Sequence, residues 1–164
     1  MGVKSWIRQR FVNPEAVYGL ILYSALIGGV STEDTSSLEV LVVSVFSLVI
    51  FWGAHVFSRT IASHGVTDGT ETSLRTATRL GFVESSGMLY AAILPTLPIL
   101  LGVAKVMSTD DAVSLSLLVA MIVLGVLGYQ SFAQRQARVI TRILGALGTA
   151  FFGLLMIILN ILVH

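Results

Sequence analysis

The sequence predicts an all-α polytopic membrane protein: a bundle of five transmembrane helices with its N-terminus in the cytoplasm and its C-terminus outside. Three observations predict this. Of 164 residues, 55% are hydrophobic and only 12% charged, and the mean hydropathy is +0.89, whereas a soluble domain is about one-quarter charged. Five apolar runs, at 14–30, 38–61, 88–106, 112–132 and 143–163, approach the ~20 residues that cross roughly 30 Å of hydrocarbon. Nine of the ten Lys and Arg fall on one side of those runs, the side that is retained in the cytoplasm. The runs are continuously apolar and rich in Leu, Ala and Gly rather than alternating, which excludes barrel strands. They occupy nearly two-thirds of the chain, so a single transmembrane domain over 1–164 is expected.

The element boundaries carry the chemistry of helix ends. For the first span, Asn13-Pro14-Glu15 reads as an N-cap, a proline at the first helical position and an acid at the positive end of the dipole. This span follows a basic segment in the manner of a signal peptide, but its 17 residues exceed the usual apolar stretch of one, so a retained anchor is expected. Ser36 or Ser37 is placed to cap the second span. The segment 62–82 is Thr-rich and mildly charged, with Glu71 and Arg75 spaced as a favourable pair on a short helix, and reads as a juxtamembrane loop. Pro95 and Pro98 fall inside the third span, where each removes a backbone donor and is expected to kink the helix. Ser108 and Asp111 match a capping box before the fourth span, with Asp in place of the longer Glu.

The charge distribution sets orientation and excludes several functions. Lys4, Arg8, Arg10, Arg59, Arg75, Arg79, Arg135, Arg138 and Arg142 lie on the expected cytoplasmic side, and Lys105 lies opposite, among Glu33, Asp34, Glu39, Asp110 and Asp111. A net charge of +1 lacks the basic excess of a nucleic-acid binder. The absence of Cys removes disulfides, thiolate metal sites and thiol nucleophiles. His55 and His64 have no second ligand one turn away, so no metal is expected. Without a nucleophile elbow, a Walker loop or a dinucleotide motif, neither an enzyme nor a cofactor is expected.

Ionisable residues within a span are costly and mark candidate sites. His55 and Arg59 share one face of the second helix with Leu48 and Trp52, one turn apart. Glu15 and Glu84 enter the first and third helices from the same end, so Glu15, His55, Arg59 and Glu84 are expected to cluster near the cytoplasmic boundary. Two readings compete: structural pairing favoured by the helix dipoles, and proton or ion handling by a histidine beside a carboxylate. Small residues four apart, including Ser24 and Gly28, Ala25 and Gly29, and Gly145, Thr149 and Gly153, with Gly125 and Gly128 read in the same way, allow close helix approach within the bundle or between copies. Arg135, Arg138 and Arg142 would form one basic face for lipid headgroups if a helix continued through them.

The segments Tyr18-Gly19, Phe51-Trp52-Gly53-Ala54-His55-Val56-Phe57-Ser58, Glu84 followed by Ala91-Ala92-Ile93-Leu94-Pro95, and Leu162-Val163-His164 resemble an uncharacterised family of small actinobacterial integral membrane proteins. The resemblance covers nearly the whole chain and implies a helical bundle in the plasma membrane, with no catalytic role to carry over. Asn160 stands where that pattern often has Lys, and the loop before Glu84 is less acidic than its pattern. The expected function is that of a non-enzymatic accessory or assembly subunit of a larger plasma-membrane complex, an energy-transducing one among the candidates. Its partners would be the lipid bilayer and a membrane protein or further copies of itself. The alternative is a small oligomeric proton-coupled transporter or ion channel using the His/Glu/Arg cluster, with the Pro95/Pro98 break as a gate or site.

Overall fold

The computed structural model describes residues 14–32, 34–67 and 70–163. These form five helices: α1 (Pro14–Val30), α2 (Ser37–Ser63), α3 (Leu74–Val103), α4 (Thr109–Gln134) and α5 (Val139–Val163). Between α2 and α3 lies a small antiparallel hairpin, β1 (Gly65–Thr67) and β2 (Thr70–Thr72), with Gly65 opposite Thr72. Helices α2 to α5 are long and apolar enough to cross a membrane, while α1 is a shorter apolar helix. Short connections bring the arginine-bearing ends of the helices together and leave the acid-bearing ends opposite.

The caps form largely as the spacing predicts. Ser36 closes a full capping box: its N–H donates to Glu39 Oε2 at 2.8 Å, and its Oγ accepts from the Glu39 N–H at 3.3 Å. At α4, Ser108 Oγ accepts from the Asp111 N–H at 3.1 Å, and its hydroxyl donates to Asp111 Oδ2 at 2.7 Å. The shorter carboxylate is thus satisfied by the cap's hydroxyl. The expected Asn13 cap lies outside the described residues.

The third helix departs most from expectation. It begins at Leu74 instead of near position 88, so positions 74–82 of the expected loop are helix, and Glu71 and Arg75 stand on different elements. Ser73 caps it, accepting from the Thr76 N–H at 3.3 Å, and Ala77, Gly81 and Ser85 form a buried stripe along its first turns. Tertiary packing therefore carries the helix through Arg75, Arg79 and Glu84, where hydropathy alone breaks off. At ~1.5 Å per residue its 30 residues extend about 45 Å, well beyond the ~30 Å of hydrocarbon. The helix is continuous through Pro95 and Pro98, both of which are buried. Each withholds a donor from the carbonyl four residues earlier. In the same turns Thr96 donates to the Ala92 carbonyl at 2.7 Å, and Ser116 of α4 donates to the Pro95 carbonyl at 2.6 Å, so the hydroxyls bond the carbonyls next to the two, those of Ala91 and Leu94, that lose their donors.

The shortest helix is at the centre. α1 packs against each of the other four, while α2, α3, α4 and α5 pack in sequence as an arc around it. Ala16, Leu20, Tyr23 and Ile27 are buried at 0–1% exposure, one apolar face repeating every three or four residues. Gly19 allows the α3 backbone to come close, since a Cβ there would lie 2.5 Å from the Met88 Cα. The α4–α5 seam is equally tight. A Cβ on Gly128 would collide with Thr149 and the Gly145 carbonyl, and one on Gly153 would lie 2.7 Å from the Met121 Cα. Thr149 crosses the seam to donate to the Leu124 carbonyl at 2.7 Å. Gly128, Gly145 and Gly153 therefore serve packing within the bundle, the first of the two uses open to them.

The seam yields a contrast in stability. Gly128→Val is expected to cost about 1–3 kcal/mol by overpacking, whereas Gly148→Ala, with open space around the new Cβ, should be neutral or gain up to about 1 kcal/mol of helix propensity. Thermal unfolding in detergent measures both. Equal midpoints for the two variants would contradict a close α4–α5 contact.

Candidate functional site

Three helices converge at the arginine-bearing end. Glu15 occupies the first turn of α1, Arg59 the last turns of α2, and Glu84 lies ten residues into α3. The approach of α2 to α3 is set by Gly81, where a Cβ would sit 2.9 Å from the Val56 carbonyl and 3.2 Å from Thr60 Oγ1. Thr60 stays out of the way by turning its hydroxyl back to the Val56 carbonyl at 2.8 Å. With the backbones this near, the Arg59 guanidinium reaches both neighbours. Its Nη2 pairs with Glu15 Oε1, and its Nη1 lies 3.1 Å from Glu84 Oε2.

The two ion pairs are unequal. The Glu15 side chain is only 10% exposed, against 40% for Arg59 and 46% for Glu84. A carboxylate so desolvated must be compensated, and Glu15 has both the guanidinium and the positive end of α1. Glu84 was expected near a helix N-terminus, but the extended α3 places it well inside the helix, so the dipole does not account for it. Arg59 is one partner for its charge. Two carboxylates against one guanidinium leave the triad with a formal charge of −1.

His55 lies beside this triad without joining it. Its ring stacks on Tyr18 of α1, with centroids 6.1 Å apart and planes inclined by 26°. No hydrogen bond or ion pair links it to either carboxylate, and its Nε2 is buried with no partner among the described residues. One turn further along α2, the Trp52 ring meets Phe82 edge-on at 5.1 Å, and its Nε1 is likewise buried and unpartnered. The four expected residues are thus a triad with a neighbouring stacked histidine. Pro95 is eleven residues beyond Glu84, about 16 Å along α3, so the proline turns and the charged cluster are separate places. Among the described residues no three His, Asp or Glu side chains are grouped to hold a metal.

The basic face is also rearranged. α4 ends at Gln134 and α5 starts at Val139, with Gln136 between them at φ +57°, so Arg135, Arg138 and Arg142 straddle a turn instead of following one helix. Arg142 Nε donates to the Ala137 carbonyl at 2.8 Å and ties that turn. Arg135 and Arg138 remain exposed and available to headgroups. Sequence reasoning noted Asn160 only as standing where the family pattern often has Lys; it is the lone amide of α5, and its Nδ2 donates to the Gly28 carbonyl and Ser31 Oγ, both at 3.3 Å. A single amide in an apolar run is itself a signal of interhelical hydrogen bonding. It also missed the Tyr18–His55 stack, which no spacing within one helix reveals.

The triad predicts an order of effects. Glu84→Gln is expected to cost at most about 1 kcal/mol, as exposed ion pairs do. Arg59→Met leaves Glu15 buried without its partner and should cost more, about 1–3 kcal/mol, below the ~3–5 kcal/mol of a fully buried pair because Arg59 is partly exposed. Unfolding midpoints in detergent test this order, and a larger loss for Glu84→Gln would reverse the assignment of the clamp. No family model, curated protein or solved structure matches the chain, and its function rests on this geometry alone.

Proposed function

We propose that the protein is a non-enzymatic, five-span plasma-membrane protein serving as an accessory or assembly subunit of a larger complex, with α1 as the fifth span and the arginine-bearing end in the cytoplasm. The observation that carries this reading is α5. Among its described residues only Gly153 is buried, while Leu144, Leu147, Phe151, Leu155, Ile158 and Leu162 all face outward. α2 adds a second broad apolar surface, with Phe46, Ile50 and Phe57 at 60–67% exposure. Such faces suit lipid or another membrane protein. The charges that a transport path would use are instead engaged with one another: Arg59 holds Glu15 and Glu84 together across three helices. A bundle with an internal clamp and large outer faces is suited to being held and to holding.

One observation favours the alternative of a small proton-coupled transporter or channel. His55 keeps a buried ring nitrogen without a partner among the described residues, on the same helix as the Arg59 that holds the two carboxylates.

Purification in mild detergent followed by intact-particle mass measurement is expected to show a stoichiometric partner; a lone monomer would overturn the subunit reading. Proteoliposomes of wild type and His55→Ala should both show background proton flux, and a pH-dependent flux lost in His55→Ala would establish the transporter instead. Because the chain lacks cysteine, single cysteines report topology directly. Thr35→Cys and Asp110→Cys should react with an impermeant maleimide from outside the cell, and Arg75→Cys and Arg135→Cys only after permeabilisation. The reverse pattern would invert the orientation.

A further inference from the structure

The seam between α2 and α3 has a depth that the ion clamp does not use. An apolar groove of about 310 Å³ runs along it, with Val45 and Val49 of α2 on one wall, Ile93 and Leu97 of α3 on the other, and Tyr23 and Thr96 at its floor. The floor's polar atoms are satisfied by each other, with the Tyr23 hydroxyl 2.8 Å from Thr96 Oγ1, so the groove presents hydrocarbon throughout. From Leu89 to Leu100, its limits on α3, it extends for about 17 Å at ~1.5 Å per residue. Toward the acid-bearing end of the same two helices lies a wider basin of about 760 Å³ lined by Leu38, Val103, Lys105 and the cap residues Ser36 and Ser108. Leu38 stands two turns beyond Val45 on the same face of α2, and Val103 stands one turn beyond Leu100 on α3, which places the basin in line with the groove and at the mouth end of the seam.

The charges at that mouth are mixed. Lys105, held in a turn at φ +58° and exposed, supplies an ammonium. Two carboxylates flank it through the caps, Glu39 Oε2 at 2.8 Å from Ser36 Oγ and Asp111 Oδ2 at 2.7 Å from Ser108 Oγ. We propose that this seam seats one acyl chain of a phosphatidylethanolamine-class lipid, with its phosphate at Lys105 and its ammonium toward the Glu39 and Asp111 carboxylates. The complementarity selects the headgroup. An anionic lipid would meet two carboxylates with only one cation to answer them, and a choline head lacks the N–H donors that make charge-assisted hydrogen bonds to carboxylate. The inference requires the helices to span a bilayer and is independent of whether the protein acts as a subunit or a transporter.

The test is native mass spectrometry of the full chain in detergent, titrated separately with dioleoyl phosphatidylethanolamine, phosphatidylglycerol and phosphatidylcholine. A single phosphatidylethanolamine adduct should saturate at about fivefold lower lipid than the phosphatidylglycerol adduct, the factor expected for one surface charge. Leu97→Trp, which fills the groove from a position half exposed to lipid, should abolish that adduct, and Asp111→Asn, which keeps an acceptor for the Ser108 hydroxyl but removes a carboxylate, should reduce the preference over phosphatidylglycerol. Ile143→Trp on the exposed face of α5 should leave binding unchanged, and circular dichroism checks that each variant is folded. Equal binding of the three lipids, tighter phosphatidylglycerol binding, or an adduct that survives Leu97→Trp in a folded protein would each overturn the proposal.

Discussion

A carboxylate taken out of solvent has to be compensated, and in this chain the carboxylate concerned begins the helix on which all the others pack. Glu15 is almost buried, and Arg59 is the side chain that answers it. That pairing fixes the end of α1 against α2, and through Glu84 against α3. Once α1 is held at that end, its buried face of Ala16, Leu20, Tyr23 and Ile27 lies along the inside of the arc and positions the remaining helices. The ion pairs add specificity of register to packing that is otherwise made of small residues and dispersion contacts.

The rest of the bundle is closed by backbone proximity. With no hydrophobic effect between helices in lipid, close approach and interhelical hydrogen bonds have to carry association. Gly19 against Met88, Gly81 against Val56, and Gly128 and Gly153 against α5 and α4 respectively are the places where this happens. Hydroxyls supply the polar part: Thr149 to the Leu124 carbonyl across α4 and α5, Ser116 to the Pro95 carbonyl across α4 and α3. At the far end of α1, Asn160 reaches the Gly28 carbonyl, so the central helix is tied at both ends by polar contacts, and along its middle by apolar ones and the Tyr23–Thr96 hydroxyl pair.

The division of labour between surfaces follows from that design. Because α1 takes up the inner faces of the arc, α2 and α5 have little left to bury, and their outer faces are apolar. In the charged triad Arg59 joins a nearly buried Glu15 to a half-exposed Glu84, while His55 is set apart against Tyr18. At the opposite end, the loops carry carboxylates that serve the helix caps, with Lys105 among them. A mixed-charge rim above an apolar seam arises there as a by-product of capping, which is why it lies at the acid-bearing end.

Composition, hydropathy and cap chemistry were sufficient for the helical class and for the cores of all five helices, because a continuous apolar run of that length satisfies its backbone groups best as a helix. They also marked Glu15, Arg59, Glu84 and His55 as residues needing an explanation, since the cost of a charge in a span is a property of one residue and its neighbours in sequence. What the sequence could not determine was the start of α3, the straddling of a turn by Arg135, Arg138 and Arg142, and the separation of His55 from the ion triad. Each of these depends on which backbone comes close to which: Ala77, Gly81 and Ser85 prolong α3 by packing, and a left-handed Gln136 breaks the basic face. Helical spacing relates residues three or four apart, whereas contacts such as Arg59 with Glu15 join residues 44 apart, and only the tertiary structure brings them within reach.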